Sequence, residues 1–65
     1  MNITLNGEIQ AIKATTIAAL VSELALNPRQ VAIERNGAII SRSTYGDTQI
    51  AQDDVIEVVA FVGGG

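Results

Sequence analysis

Two Asn-Gly pairs constrain the fold of this 65-residue chain more than any other feature, because each lies between segments that resemble β-strands. Asn6-Gly7 interrupts ITLNGEIQA (residues 3–11), and Asn36-Gly37 interrupts VAIERNGAII (residues 31–40). Asn-Gly flanked by alternating apolar residues is the strongest short-range signal for a β-hairpin. The sequence therefore predicts two hairpins.

The register of the first hairpin depends on the length of its loop. A two-residue loop would pair Leu5 with Glu8 and would put Ile9 on the opposite face from Leu5. A three-residue loop with a bulge would pair Leu5 with Ile9 and Ile3 with Ala11. Since the second arrangement gathers the apolar side chains on one face, the hydrophobic pattern favours the bulged loop.

One segment with helical periodicity separates the two hairpins. Its apolar residues recur at the spacing of a single helix face: Ile17, Leu20, Val21 and Leu24. The hydroxyls of Thr15-Thr16 can cap its first turn. Asn27-Pro28 disfavours helix on both sides of the Asn-Pro bond, so we expect the helix to end near Ala25.

A final strand is predicted at residues 55–62, after a polar stretch, a short segment around Ile50 and the turn at Asp53-Asp54. The element order indicates an α+β fold of the ubiquitin-like β-grasp type, with a mixed sheet of four to five strands wrapped over one helix. We expect residues 1–62 to form this single domain and residues 63–65 to be a flexible glycine tail.

Period-two alternation in the last strand directs three side chains toward the helix: Ile56, Val58 and Ala60. It leaves Glu57, Val59 and Phe61 on the outer face of the sheet. A core does not explain an exposed valine and phenylalanine so close together. Val59 and Phe61 are therefore predicted to dock a protein partner.

Composition excludes several classes of function. The chain has no cysteine and no histidine, so it has no disulfide, no thiolate metal site and no histidine base. A net charge of -3 argues against binding to nucleic acid. No apolar run approaches the roughly 20 residues of a membrane span, and we expect a cytoplasmic protein.

Other polar residues give no sign of catalysis or of a metal site. Asp53-Asp54 is interpreted as a solvated turn, because two adjacent carboxylates without further ligands rarely hold a cation. Tyr45 and the hydroxyls of Ser43 and Thr44 are placed in a polar loop without an acid or base partner. We expect no catalytic residue and no metal ligand in this chain.

The chain closes with three glycines after a strongly apolar strand: FVGGG, residues 61–65. Glycine loses the most backbone entropy on ordering and has no side chain to pack, so these residues have no role in folding. A frayed end is the alternative to a functional tail.

Four segments carry a family resemblance: VAIERNGAII, Arg42-Ser43, Ile56-Glu57-Val58-Val59 and FVGGG. Together they resemble the ThiS family, the sulfur carriers of thiamin thiazole synthesis. The family often has Pro where this chain has Ser41, and Asp-Gly-Asp where it has Gln52-Asp53-Asp54. Asp53 then takes the glycine position, and Asp is among the few residues that tolerate a positive φ.

The resemblance implies that the chain is a carrier and not an enzyme, and that it binds no cofactor of its own. An E1-like adenylyltransferase (ThiF type) would use ATP and Mg²⁺ to adenylate the carboxylate of Gly65. Sulfur from a cysteine desulfurase would then give a thiocarboxylate for thiazole synthase (ThiG type). Gly63 and Gly64 would thread the partner's narrow active site.

Three alternatives remain at this point. A molybdopterin-type sulfur carrier shares the Gly-Gly end, although such carriers are usually longer. A ubiquitin-like protein modifier would use the same adenylated tail to acylate a lysine. A passive β-grasp binding module would not use the tail at all.

Overall fold

The computed structural model describes residues 1–61, which form a five-stranded sheet packed against one α-helix. The elements in chain order are β1 (Asn2–Leu5), β2 (Glu8–Ala11), α1 (Ile17–Glu23), β3 (Val31–Arg35), β4 (Ala38–Ile39) and β5 (Val55–Ala60). The strand order is β2-β1-β5-β3-β4, with β1 and β5 parallel and the other neighbours antiparallel. This mixed sheet over one helix confirms the predicted β-grasp fold.

The predicted helix stripe forms the centre of the core. Ile17, Leu20 and Val21 are buried, and Leu24 is half-buried against them. The side chain of Thr16 accepts a hydrogen bond from the Ala19 N–H at 3.1 Å, which confirms the predicted N-terminal cap. None of the helices within residues 1–61 is long and apolar enough to cross a membrane.

The helix ends two residues earlier than predicted. α1 stops at Glu23, and Ala25 has a φ of 57°. The Ala25 N–H donates to the Ser22 carbonyl and the Leu26 N–H to the Val21 carbonyl, which is the Schellman pattern of a helix C-terminus. Proline is therefore not the terminator, because Pro28 instead begins a short 3-10 turn over Pro28–Gln30.

The prediction of a bulged first hairpin was wrong. Leu5 pairs with Glu8 and Ile3 with Gln10, so the loop has two residues. Asn6 and Gly7 have φ values of 49° and 84°, as a type I′ turn requires. The turn geometry thus sets the register, although it leaves Ile9 on the outer face, 80% exposed.

The prediction that Tyr45 lies in a polar loop was also wrong. Its side chain is only 5% exposed and belongs to the core. A second 3-10 turn, Arg42–Thr44, brings the chain back to the helix, where the Ala18 N–H donates to the Tyr45 carbonyl at 3.0 Å.

The last strand occupies the centre of the sheet, as predicted, but β5 ends at Ala60. Ile56 is fully buried and Val58 is half-buried, in agreement with the prediction. Ala60 pairs with Val31 yet is exposed, because it is the last residue of the strand. Residues 62–65, with the predicted end of the strand and the glycine tail, lie outside the described residues.

Candidate functional site

The candidate site is the end of β5, from which the chain continues toward the glycines. β5 lies between β1 and β3, so both of its edges are hydrogen-bonded. Beyond the strand, the Phe61 N–H still donates to the Gln30 carbonyl at 3.0 Å. The backbone is therefore held in place up to Phe61. The predicted attachment residue Gly65 and the predicted threading residues Gly63 and Gly64 lie outside the described residues.

The outer face beside this point carries the two predicted docking residues. Val59 is 56% exposed and Phe61 is 40% exposed, which confirms their predicted exposure. Val59 lies opposite Ala32 in β3, a residue too small to cover it. The docking role of Val59 and Phe61 stays a prediction.

Acidic side chains adjoin this apolar pair. Glu57 of β5 lies directly opposite Glu34 of β3. Like charges in directly opposed positions of a sheet repel each other and destabilise the pairing. A basic group on a docking partner would relieve this repulsion, so the outer face suits a partner that combines apolar and basic residues.

Both Asn-Gly turns also hold β5, which sequence reasoning missed. The Asn6 side-chain oxygen accepts from the Val58 N–H at 2.8 Å, and that of Asn36 accepts from the Val55 N–H at 2.9 Å. The backbone of each asparagine therefore adopts the positive φ of its turn, while its side-chain oxygen accepts a hydrogen bond from the distant strand β5. The sequence carries no signal for this, because the partners are 52 and 19 positions apart.

Asp54 is a buried structural residue, so the interpretation of both carboxylates as solvated was wrong. Asp54 Oδ2 accepts from Arg35 Nε at 2.7 Å and from the Ala51 N–H at 2.8 Å, while Oδ1 accepts from Asn36 Nδ2 at 3.0 Å. Burial alone raises the pKa of Asp54, but these donors outweigh it and hold the pKa below its ordinary value. Asp53 is exposed with a φ of 69°, as predicted.

The hydroxyl groups of Ser43 and Thr44 make hydrogen bonds within the second 3-10 turn and to the residue before it, Ser41. Thr44 Oγ1 donates to the Ser41 carbonyl at 2.7 Å, and the hydroxyls of Ser41 and Ser43 lie 3.1 Å apart. Neither contact involves an acid or a base. Within residues 1–61, no three His, Cys, Asp or Glu side chains are arranged to hold a metal ion.

Comparisons of the sequence and of the fold with known proteins point to the same family. A model of the ThiS family matches residues 3–65. The sulfur carrier protein ThiS of Bacillus subtilis is 42% identical over 50 residues, which cover 77% of this chain and 76% of that protein. The crystal structure of the thiamine biosynthesis protein ThiS from Geobacter metallireducens has a TM-score of 0.85 and 29% identity, with complete coverage of both chains.

A longer kind of relative is similar as well. The thiazole synthase of Magnetococcus marinus is 50% identical over 66 residues, which cover 100% of this chain and 20% of that protein. The chain thus spans about a fifth of the length of this relative. Because the family match covers nearly all of the sequence and the fold agrees, the chain belongs to the ThiS family.

Proposed function

We propose that this chain carries sulfur for thiazole formation in thiamin biosynthesis, as a thiocarboxylate on Gly65. One observation carries the proposal: the family match extends to residue 65 and so includes the glycine tail. The relative from Bacillus subtilis is named a sulfur carrier protein, and a thiazole synthase contains a region similar to this chain. Both names support the thiazole pathway over the molybdopterin and modifier alternatives.

The proposed chemistry begins with activation of the tail. The Gly65 carboxylate attacks the α-phosphorus of ATP on a ThiF-type adenylyltransferase, and pyrophosphate leaves. A persulfide from a cysteine desulfurase then attacks the acyl carbon, and AMP leaves. A second thiol attacks the cysteine-side sulfur of the resulting acyl disulfide, which releases the thiocarboxylate and forms a new disulfide. A ThiG-type thiazole synthase consumes the thiocarboxylate.

In this scheme the chain is a co-substrate, and its partners supply the catalysis. ATP and Mg²⁺ belong to the adenylyltransferase, and we place the reaction in the cytoplasm, where ATP is available. The absence of cysteine suits a carrier that must not itself react with persulfides. The sulfur is bound to the backbone carbonyl carbon of Gly65.

Glycine suits the tail for steric reasons. Without a Cβ atom, Gly63 and Gly64 can pass through a narrow cleft, and three extended residues reach roughly 10 Å. Ordering them costs on the order of 1–2 kcal/mol per residue in backbone entropy. Another surface must therefore supply binding energy, and Val59 and Phe61 are, among residues 1–61, the large exposed apolar residues nearest to the tail in sequence.

The direct test is the intact mass of the protein after incubation with the adenylyltransferase, ATP and a cysteine desulfurase with its substrate. We expect a mass increase equal to the replacement of one oxygen atom by sulfur. Fragmentation should place the change on Gly65. A modification of a lysine on another protein, with no thiocarboxylate, would instead identify a protein modifier.

Deleting Gly64-Gly65 should abolish sulfur transfer while leaving the fold intact. The described core and all hydrogen bonds of β5 lie upstream of the deletion. The truncated protein should compete for docking in an ATP–pyrophosphate exchange assay but give no exchange itself.

A Gly64→Val variant of full length separates steric fit from reach. It should also fail in exchange, because its branched Cβ restricts the backbone. Exchange by the truncated form at the full rate contradicts the proposal.

The docking prediction is tested with Phe61→Ala. We expect binding to the adenylyltransferase to weaken by about 1–3 kcal/mol, since apolar area buried only in the complex is lost. Ile9→Ala is the comparison on the same outer face, because Ile9 is 80% exposed but lies on the edge strand β2, separated from β5 by β1. Binding of Phe61→Ala as tight as that of the wild type would remove Phe61 from the interface.

A further inference from the structure

A groove of about 450 Å³ lies on the helix side of the molecule, away from the outer sheet face. Its floor is formed by Val21 and Tyr45, which are 3% and 5% exposed. Its rim is formed by exposed residues of α1 and of the two 3-10 turns: Ala18, Pro28, Arg29 and Arg42. The groove is therefore apolar at its base and open to solvent above.

The groove concentrates positive charge on an acidic protein. Two of the four basic residues, Arg29 and Arg42, lie on its rim, although the net charge is -3. Arg42 Nη2 lies 3.5 Å from the Arg29 carbonyl, which holds the two residues side by side. None of the lining residues is acidic. Within residues 1–61 the ion pair of the structure is Arg35–Asp54, so neither rim arginine has a carboxylate partner there.

We propose that this groove binds an acidic segment of a protein partner, with one apolar side chain on the floor and carboxylates against Arg29 and Arg42. Guanidinium groups pair with carboxylates in a bidentate geometry, which makes arginine well suited to this contact. The two arginines disfavour a basic segment at this groove. The groove is a separate surface from the tail and the outer face, which are the parts of the chain that the proposed sulfur transfer requires.

The shape of the groove favours a peptide segment over a small metabolite. Metabolite sites enclose most of the ligand surface and orient it with a few convergent polar groups. Here the rim is exposed, and its charged groups are two arginines. A segment that lies across the rim can insert one side chain and leave the rest in solvent. Because the groove and the outer sheet face are on opposite sides of the sheet, both can be occupied together.

Fluorescence anisotropy with a labelled peptide tests the proposal. The probe is a capped ten-residue peptide of alternating leucine and glutamate, and the matched probe has lysine in place of glutamate. We expect the glutamate peptide to bind the full chain and the lysine peptide not to bind. Binding should weaken as salt is raised, because exposed charge pairs are screened.

Arg29→Gln/Arg42→Gln should weaken binding of the glutamate peptide by about fivefold to tenfold, since each exposed ion pair contributes modestly. Lys13→Gln is the control, because Lys13 is exposed and does not line the groove. Thermal unfolding of each variant reports whether the fold is retained. Ala18→Gln, which narrows the groove without changing charge, should also weaken binding and serves if the double variant fails to fold.

Three results would overturn the proposal. The first is no binding of the glutamate peptide at about 1 mM. The second is an equal effect of the groove variants and of Lys13→Gln. The third is full displacement of the peptide by octanoate at the peptide's own concentration. The last result would assign the groove to a small amphiphilic carboxylate.

Discussion

At the residue scale, Asp54 shows how one carboxylate joins separate parts of a small sheet. It accepts hydrogen bonds from the end of β3, from the second Asn-Gly turn and from the loop before β5. Its side chain is 8% exposed, so water does not replace these donors. A buried carboxylate of this kind is tolerated only because every partner is a donor.

We expect Asp54→Asn to reduce the free energy of unfolding by about 1–3 kcal/mol at pH 7. The site presents donors to both carboxylate oxygens, whereas asparagine offers one oxygen and one NH₂ group. One donor would therefore face another donor. Asp53→Asn changes the charge equally at an exposed neighbour and should have little effect, since asparagine also tolerates a positive φ.

The stability of the protein should also depend on pH through Asp54. Its pKa is lowered in the folded state, so the charged form stabilises the fold. This contribution is present above the ordinary pKa of 3.8 and is lost as pH falls below it, through the folded value. Urea unfolding of the wild type and Asp54→Asn should therefore differ at pH 7 and converge in acid. A constant difference would show that Asp54 does not act through its charge.

At the element scale, the helix end and the hairpin turns are set by local backbone geometry. Asn6 and Asn36 have φ values near 50°, which asparagine tolerates well. Ala25 has a φ of 57° without that tolerance, at a position where glycine is usual. The helix therefore ends with a strained residue.

Ala25→Gly should stabilise the protein by roughly 0.5–1 kcal/mol. Relief of the left-handed strain gains about 1–2 kcal/mol, and the greater entropy of glycine in the unfolded chain offsets part of it. Ala19→Gly makes the same chemical change at an exposed position within α1 and should destabilise by about 0.5–1 kcal/mol. Thermal unfolding of both variants should give shifts of opposite sign, and shifts of the same sign would contradict this account of the helix end.

At the scale of the whole molecule, a single small core supports the entire structure. A chain of this length has an expected stability of about 3–10 kcal/mol. In the part of the chain that the structure describes, the large side chains that are fully buried are few: Ile3, Ile17, Leu20, Ile33 and Ile56. The loss of one of them therefore removes a large fraction of the total.

Ile56→Ala should cost about 2–5 kcal/mol, because it leaves a cavity under the central strand β5. The same substitution at Ile39, which is 79% exposed on β4, should cost about 0.5 kcal/mol or less. Urea unfolding followed by far-ultraviolet circular dichroism compares the two. Similar costs at both positions would mean that the core does not determine the stability of this fold.

The sequence by itself determined the elements of this protein and their order. The Asn-Gly pairs specify turns with positive φ, and the stripe through Ile17, Leu20 and Val21 specifies one buried helix face. These signals act over a few neighbouring residues, so they are visible without a structure. The alternation along residues 55–62 likewise predicted the exposure of Val59 and Phe61.

The tertiary structure alone decided which distant groups meet. The sequence could not show that Tyr45 packs within the core, or that Asp54 is shared by Arg35 and Asn36. Both outcomes depend on contacts between residues far apart in the chain. The exposure of Ile9 instead follows from the adjacent Asn6-Gly7 turn, whose two-residue geometry outweighs the local hydrophobic pattern. Polarity along the sequence indicates what a residue prefers, and packing determines what surrounds it.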